Sequence, residues 1–147
     1  HAPGIASASG KMAEIVASLR ALPDADIEAM ATYLAAQVTD APPPPRIEAT
    51  LPPGPASRLF EAACASCHMP GLPGAETAAR LPLTLSAAIR APRPEAVTGI
   101  IRDGIEAPLS LPLRDMPAFG AELDEERIAE LAAYLRARFA PDLPAWR

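Results

Sequence analysis

The chain contains two cysteines, and they stand in one short run, Cys64-Ala-Ser-Cys67-His68. This C-x-x-C-H form is the attachment sequence of a c-type haem. Two thiols three residues apart reach the two vinyl groups of one porphyrin and become thioethers, and the next side chain, an imidazole, serves as an axial ligand of the iron. A chain carrying such a motif has to wrap a large flat apolar group. Other uses of the pair are poorly served. A zinc site lacks a second thiol pair, and the one other histidine is His1. A thioredoxin-like redox pair needs a βαβ pattern, which the sequence does not carry. A disulfide across three residues closes too short a loop to restrain the unfolded chain much.

Composition points the same way. Half of the 147 residues are apolar, but aromatics make up 4% and alanine dominates. A core built from such residues is thin, so a buried prosthetic group is expected to act as a core element. The net charge of −5, with no basic run or aromatic platform, argues against nucleic acid as a partner. No apolar stretch reaches the roughly 18 residues of a membrane span. No signal peptide opens the sequence. Haem c is attached after export, so the chain is expected to be periplasmic, as a mature form or fragment whose signal peptide lies outside this sequence.

Three zones and a tail follow along the chain, and all of them read as α-helix and loop. Residues 1–40 are helical, residues 41–55 form a stiff Pro-rich linker, residues 56–140 are helices joined by Pro/Gly loops, and residues 141–147 are a tail. Pro55 suits the first turn of the helix that runs through Leu59 and Phe60 into the cysteine motif. Further helices are expected near Ser86–Ile89 and over Pro94–Arg102, the second ending at Gly104. The last helix has Asp124 as its cap, Glu125 and Glu126 at its positive end, and Arg136 and Arg138 at its negative end. Ile128, Leu131, Leu135 and Phe139 form its apolar stripe, and Pro141 closes it.

The two ends of the chain share a pattern. The run from Leu22 to Leu34 aligns without gaps with the run from Leu123 to Leu135, matching Ile27 to Ile128, Met30 to Leu131 and Tyr33 to Tyr134. Coincidence between Ala-rich amphipathic helices is one explanation; a shared acidic first turn and Tyr-Leu pair favour a true repeat.

A haem ligated by His68 alone has an open sixth position, whereas electron carriers commonly fill it with methionine. Met69 follows His68 too closely to reach the opposite face of the same ring. Met116, in Arg114-Asp-Met-Pro-Ala-Phe-Gly120, is the better candidate, with Pro117 favouring an extended Met116 and Gly120 permitting a tight turn. The alternative is that Met116 fills the core.

Together, the Cys64–His68 motif, the Met116-Pro-Ala-Phe segment and the closing helix resemble a class I cytochrome c domain over about residues 56–140. The resemblance implies a few helices around one covalent haem c, with the first and last helices crossing. It also implies a proline whose backbone orients the proximal imidazole, for which Pro82 is the candidate. Read again, Gly10-Lys-Met-Ala-Glu-Ile-Val resembles the ligand loop of a preceding domain in the multi-haem cytochrome subunits of periplasmic dehydrogenases, of the molybdenum hydroxylase or quinoprotein alcohol dehydrogenase type. Residues 1–40 are then the remnant of a preceding domain, and Met12 is an axial ligand to a haem outside this chain. The alternative for Met12 is an ordinary helix-face residue. No attachment motif precedes Met12, so one haem is expected in this chain.

The expected function is electron transfer through a His68/Met116-ligated haem c, within a cytochrome subunit of a periplasmic dehydrogenase rather than as a catalyst. A dehydrogenase subunit is the expected donor and another cytochrome or an oxidase the acceptor. Two alternatives stay open: a five-coordinate haem sensor or enzyme, and a stand-alone monohaem carrier with a helical interaction extension. His1 is expected at the surface. Arg90, Arg93 and Arg102 are surface arginines or partners of the haem propionates, and Trp146 either docks a partner or packs on the domain.

Overall fold

In the computed structural model, residues 11–37, 47–69, 82–106 and 115–146 are described. His1, Gly10, the first part of the linker, most of the loop after Met69 and Arg114 lie outside them. Seven α-helices are present among the described residues. They are α1 (Lys11–Leu19), α2 (Asp24–Ala35), α3 (Pro55–Ala63), α4 (Ala65–His68), α5 (Ala87–Arg90), α6 (Glu95–Asp103) and α7 (Glu125–Phe139). A 3-10 turn, Leu83–Leu85, precedes α5. The only β-type pairing among these residues is one isolated antiparallel bridge, Ile105 to Met116. The architecture is all-α, as the sequence implies.

Local chemistry sets the helix ends. Pro55 occupies the first position of α3, where its missing N–H has no intrahelical partner to lose. The Ser57 hydroxyl accepts from the Gly54 N–H at 2.7 Å and donates to the Gly54 carbonyl at 2.9 Å, fixing the entry. Ser86 caps α5 by accepting from the Ile89 N–H. Asp124 caps α7, its Oδ1 taking the Arg127 N–H at 2.8 Å; such a cap contributes about 1 kcal/mol.

The core lies around α7, which packs against α3, α5, α6 and the 3-10 turn. Its stripe of Ile128, Leu131, Leu135 and Phe139 is buried, as its 3.6-residue spacing requires. Phe60 of α3 is fully buried between two rings of α7, with centroids 5.7 Å from both Tyr134 and Phe139. Ile89 of α5 and Val97 and Ile101 of α6 complete the other side.

The end of α7 does more than balance a helix dipole. Arg136 is 5% exposed. It donates to the carbonyls of Ile89 (2.6 Å), Ala91 (3.2 Å) and Pro144 (3.1 Å) and lies over the Trp146 ring. Trp146 also donates to the Ala91 carbonyl at 2.9 Å. The tail is thereby folded back onto the domain, and Trp146 packs rather than projecting. Arg90 pairs with Asp142, and Arg102 with Glu125 at 2.6 Å.

The matched helix α2 behaves differently. It buries none of its residues. Met30, Tyr33 and Leu34, which match the buried or half-buried Leu131, Tyr134 and Leu135 of α7, are 44%, 67% and 60% exposed. The same sequence pattern therefore faces a core in one helix and solvent in the other.

Candidate haem-attachment site

The cysteine motif sits on the joint between α3 and α4. Cys64 ends α3, its N–H donating to the Phe60 carbonyl at 2.8 Å, and its own carbonyl accepts from both Cys67 and His68 N–H groups at 3.0 Å. Cys64 and His68 are thus one helical turn apart, on a segment whose preceding turn is anchored by the fully buried Phe60. Ala65, also buried, plugs α4 onto the core. The helix stops at Met69, which adopts an extended conformation with ψ 126°.

Both thiols are free, Cys64 half-buried and Cys67 exposed. Burial pushes the Cys64 thiol up to about 11, with a smaller contribution from Cys67 beside it. The Nδ1 nitrogen of His68 is buried. No group of three or more His, Cys, Asp or Glu side chains among the described residues converges as a metal-binding cluster. Two thiols and an imidazole that do not converge on one point suit thioether attachment with a separate imidazole ligand, and do not suit zinc.

Met116 comes from the loop before α7 and is held by its backbone. Its N–H donates to the Ile105 carbonyl and its carbonyl accepts from the Ile105 N–H, both at 2.9 Å. Farther along, Phe119 N–H reaches the Ile101 carbonyl and Gly120 N–H the Arg102 carbonyl, each at 3.0 Å. The loop thus satisfies carbonyls that the end of α6 leaves open. Two glycines permit this approach. Gly104 has φ +73°, and a Cβ there would stand 2.5 Å from the Met116 carbonyl oxygen. At Gly120 a Cβ would stand 2.9 Å from the Arg102 side chain.

Met69, Met116, Leu59, Leu83, Phe119 and Cys64 are partly buried and packed against the core. This apolar set, together with two thiols, an imidazole and a thioether, fits a haem: the donors match its vinyl groups and iron, and the surroundings match its apolar ring. Pro82 opens the 3-10 turn, its carbonyl accepting from Leu85 N–H at 2.8 Å. Met12 stands in the first turn of α1 and is 54% exposed.

Sequence reasoning placed Arg138 only as a cation at the end of the last helix and missed its partners. Its guanidinium donates to Glu48 of the linker (2.8 and 2.9 Å), Glu61 of α3 (3.2 Å) and the Tyr134 hydroxyl (2.7 Å), and touches the Met69 sulfur at 3.5 Å. Its cation lies over the rings of Phe60 and Phe139. Burial opposes its charge, but the hydrogen bonds it donates to Tyr134, Glu48 and Glu61 hold the guanidinium above its ordinary range. The one signal in the sequence was its i+4 spacing from Tyr134.

Residues 54–135 match the family model described as cytochrome C oxidase, cbb3-type, subunit III. The chain is also 32% identical, over 145 residues and 95% of its length, to a subunit of nicotinate dehydrogenase from Pseudomonas putida. It spans 12% of that relative's length. With more than half of its residues matched by the family model, and with the attachment motif inside the match, the chain belongs to the cytochrome c family that this model describes.

Proposed function

We propose that this chain transfers electrons through one c-type haem, held by thioethers at Cys64 and Cys67 and ligated by His68 and Met116. The bound haem supplies reversible one-electron chemistry at its iron. The protein's part is to hold ligands and exclude water. Phe60 and Ala65 seat the attachment turn on the core. The Ile105–Met116 pairing and the Gly104 turn fix the backbone from which the thioether projects. A thioether ligand favours the reduced iron and raises the potential. Pro82 is proposed to orient His68 through its backbone, as ordinary tuning of an axial imidazole.

The observation that carries this reading is the joint placement of the family's attachment sequence and Met116. Cys64 and Met116 lie on segments fastened to one core, and both are partly buried among apolar side chains. We further propose that the chain works within the cytochrome part of a periplasmic dehydrogenase, with a dehydrogenase subunit as donor and another cytochrome or an oxidase as acceptor. The likeness to a nicotinate dehydrogenase subunit supports this. The exposed apolar side chains of α2, in the register that α7 buries, support residues 1–40 as the end of a preceding cytochrome domain, with Met12 as its ligand.

The test is spectroscopic. The haem-loaded chain is expected to show the long-wavelength charge-transfer band of sulfur-ligated ferric haem and to bind carbon monoxide slowly when reduced. Rapid carbon monoxide binding with no such band would assign an open sixth position and the sensor or enzyme alternative.

A further inference from the structure

We infer that Arg138 is a positioning residue that fastens the Pro-rich linker to the haem-attachment turn and adds a positive charge that raises the haem's potential. The inference rests on the haem reading above. Four segments meet at this one side chain. The linker contributes Glu48 through two hydrogen bonds, and the Ala49 N–H donates to the Arg138 carbonyl at 2.7 Å. Glu61 comes from α3, Tyr134 from α7 itself, and Met69 from the residue that follows His68.

The side chain is 14% exposed and lies over three aromatic rings. A guanidinium stays charged under all ordinary conditions, and a charge so shielded is screened less than a surface one. It stabilises the electron-rich ferrous form over the ferric form. Glu48 acts with the opposite sign, offsetting part of that charge while tying down the linker. The linker is therefore a seated element whose attachment is felt beside the axial histidine.

The test uses the full chain with its haem attached. Arg138→Gln is expected to lower the midpoint potential, and Glu48→Gln to raise it. Both are expected to speed thermolysin cleavage before Ile47 several-fold. Arg138→Lys keeps the charge and is expected to return the potential toward wild type. Arg127→Gln removes an exposed arginine of the same helix and serves as the charge control. A purely structural role predicts shifts of the same sign for Arg138→Gln and Glu48→Gln, and that result overturns the inference. A potential for Arg138→Gln equal to that of Arg127→Gln also overturns it, as does unchanged linker cleavage. Glu48 is at the surface, so its variant tests the claim even if Arg138→Gln does not fold. Failure of the haem reading is separate: it appears as a wild-type chain with no attached haem.

Discussion

Met116 and Ile105 exchange both of their backbone hydrogen bonds, each at 2.9 Å, and this two-residue bridge locks the segment carrying the thioether to the chain two residues past α6. The bridge depends on Gly104, which turns the chain out of α6 with φ +73° and ψ −171°, a region that L side chains avoid.

Gly104→Ala is expected to destabilise the domain by about 1–3 kcal/mol from backbone strain, and more where the new Cβ meets the Met116 carbonyl. Denaturant unfolding measures the loss. The haem-loaded variant is expected to weaken the sulfur-ligation band while keeping the covalent haem, because the thioethers lie on a different segment.

Phe60→Ala removes a fully buried ring between Tyr134 and Phe139 and one turn before Cys64. A cost of about 3–5 kcal/mol is expected, with the Arg138 guanidinium losing one of the rings beneath it. Comparison with Leu22→Ala, at an exposed position, separates core loss from general sensitivity; that variant is expected to unfold within about 0.5 kcal/mol of wild type.

How much of this was legible beforehand follows from range. The Asp124 cap, the stripe of α7, the Pro55 start and the Gly104 stop are local patterns, and each appears where the sequence places it. The cysteine motif is equally local. The roles of Arg136 and Arg138 are not. Read along the chain, they are cations at a helix end; their partners Ile89, Ala91, Glu48 and Met69 are tens of residues away, and no short-range pattern joins them. The seating of the linker on α7 is hidden for the same reason. Nor does pattern alone tell α2 from α7, because amphipathicity reports a face suited to burial and not what covers it.

Arg136→Met tests the tail clamp. The buried Ile89 carbonyl loses this donor, which costs roughly 1–3 kcal/mol, and the half-buried Ala91 carbonyl is left with Trp146. The tail is expected to loosen, seen as increased solvent exposure of Trp146 by fluorescence.

The Arg90–Asp142 and Arg102–Glu125 pairs set a pH response. Each arginine's hydrogen bond holds its carboxyl below the usual carboxylate range. A depressed folded-state pKa contributes stability above the unfolded value, near 4, that is lost as pH falls through the folded value. Arg90→Gln is therefore expected to lower Tm slightly at neutral pH, with the difference from wild type vanishing in strong acid. Glu125 is exposed and the Arg90–Asp142 pair sits at the surface partly covered, so the effect is small. A difference that grows in acid would contradict the pairing.

Covalent haem is the centre of the account, and intact-protein mass spectrometry tests it most directly. The chain, produced in a periplasm equipped for haem attachment, is expected to have the mass of the polypeptide plus one haem, surviving denaturation, and to lose that addition in the Cys64→Ala/Cys67→Ala double variant. A polypeptide of unmodified mass, or one whose haem leaves on denaturation, would contradict it.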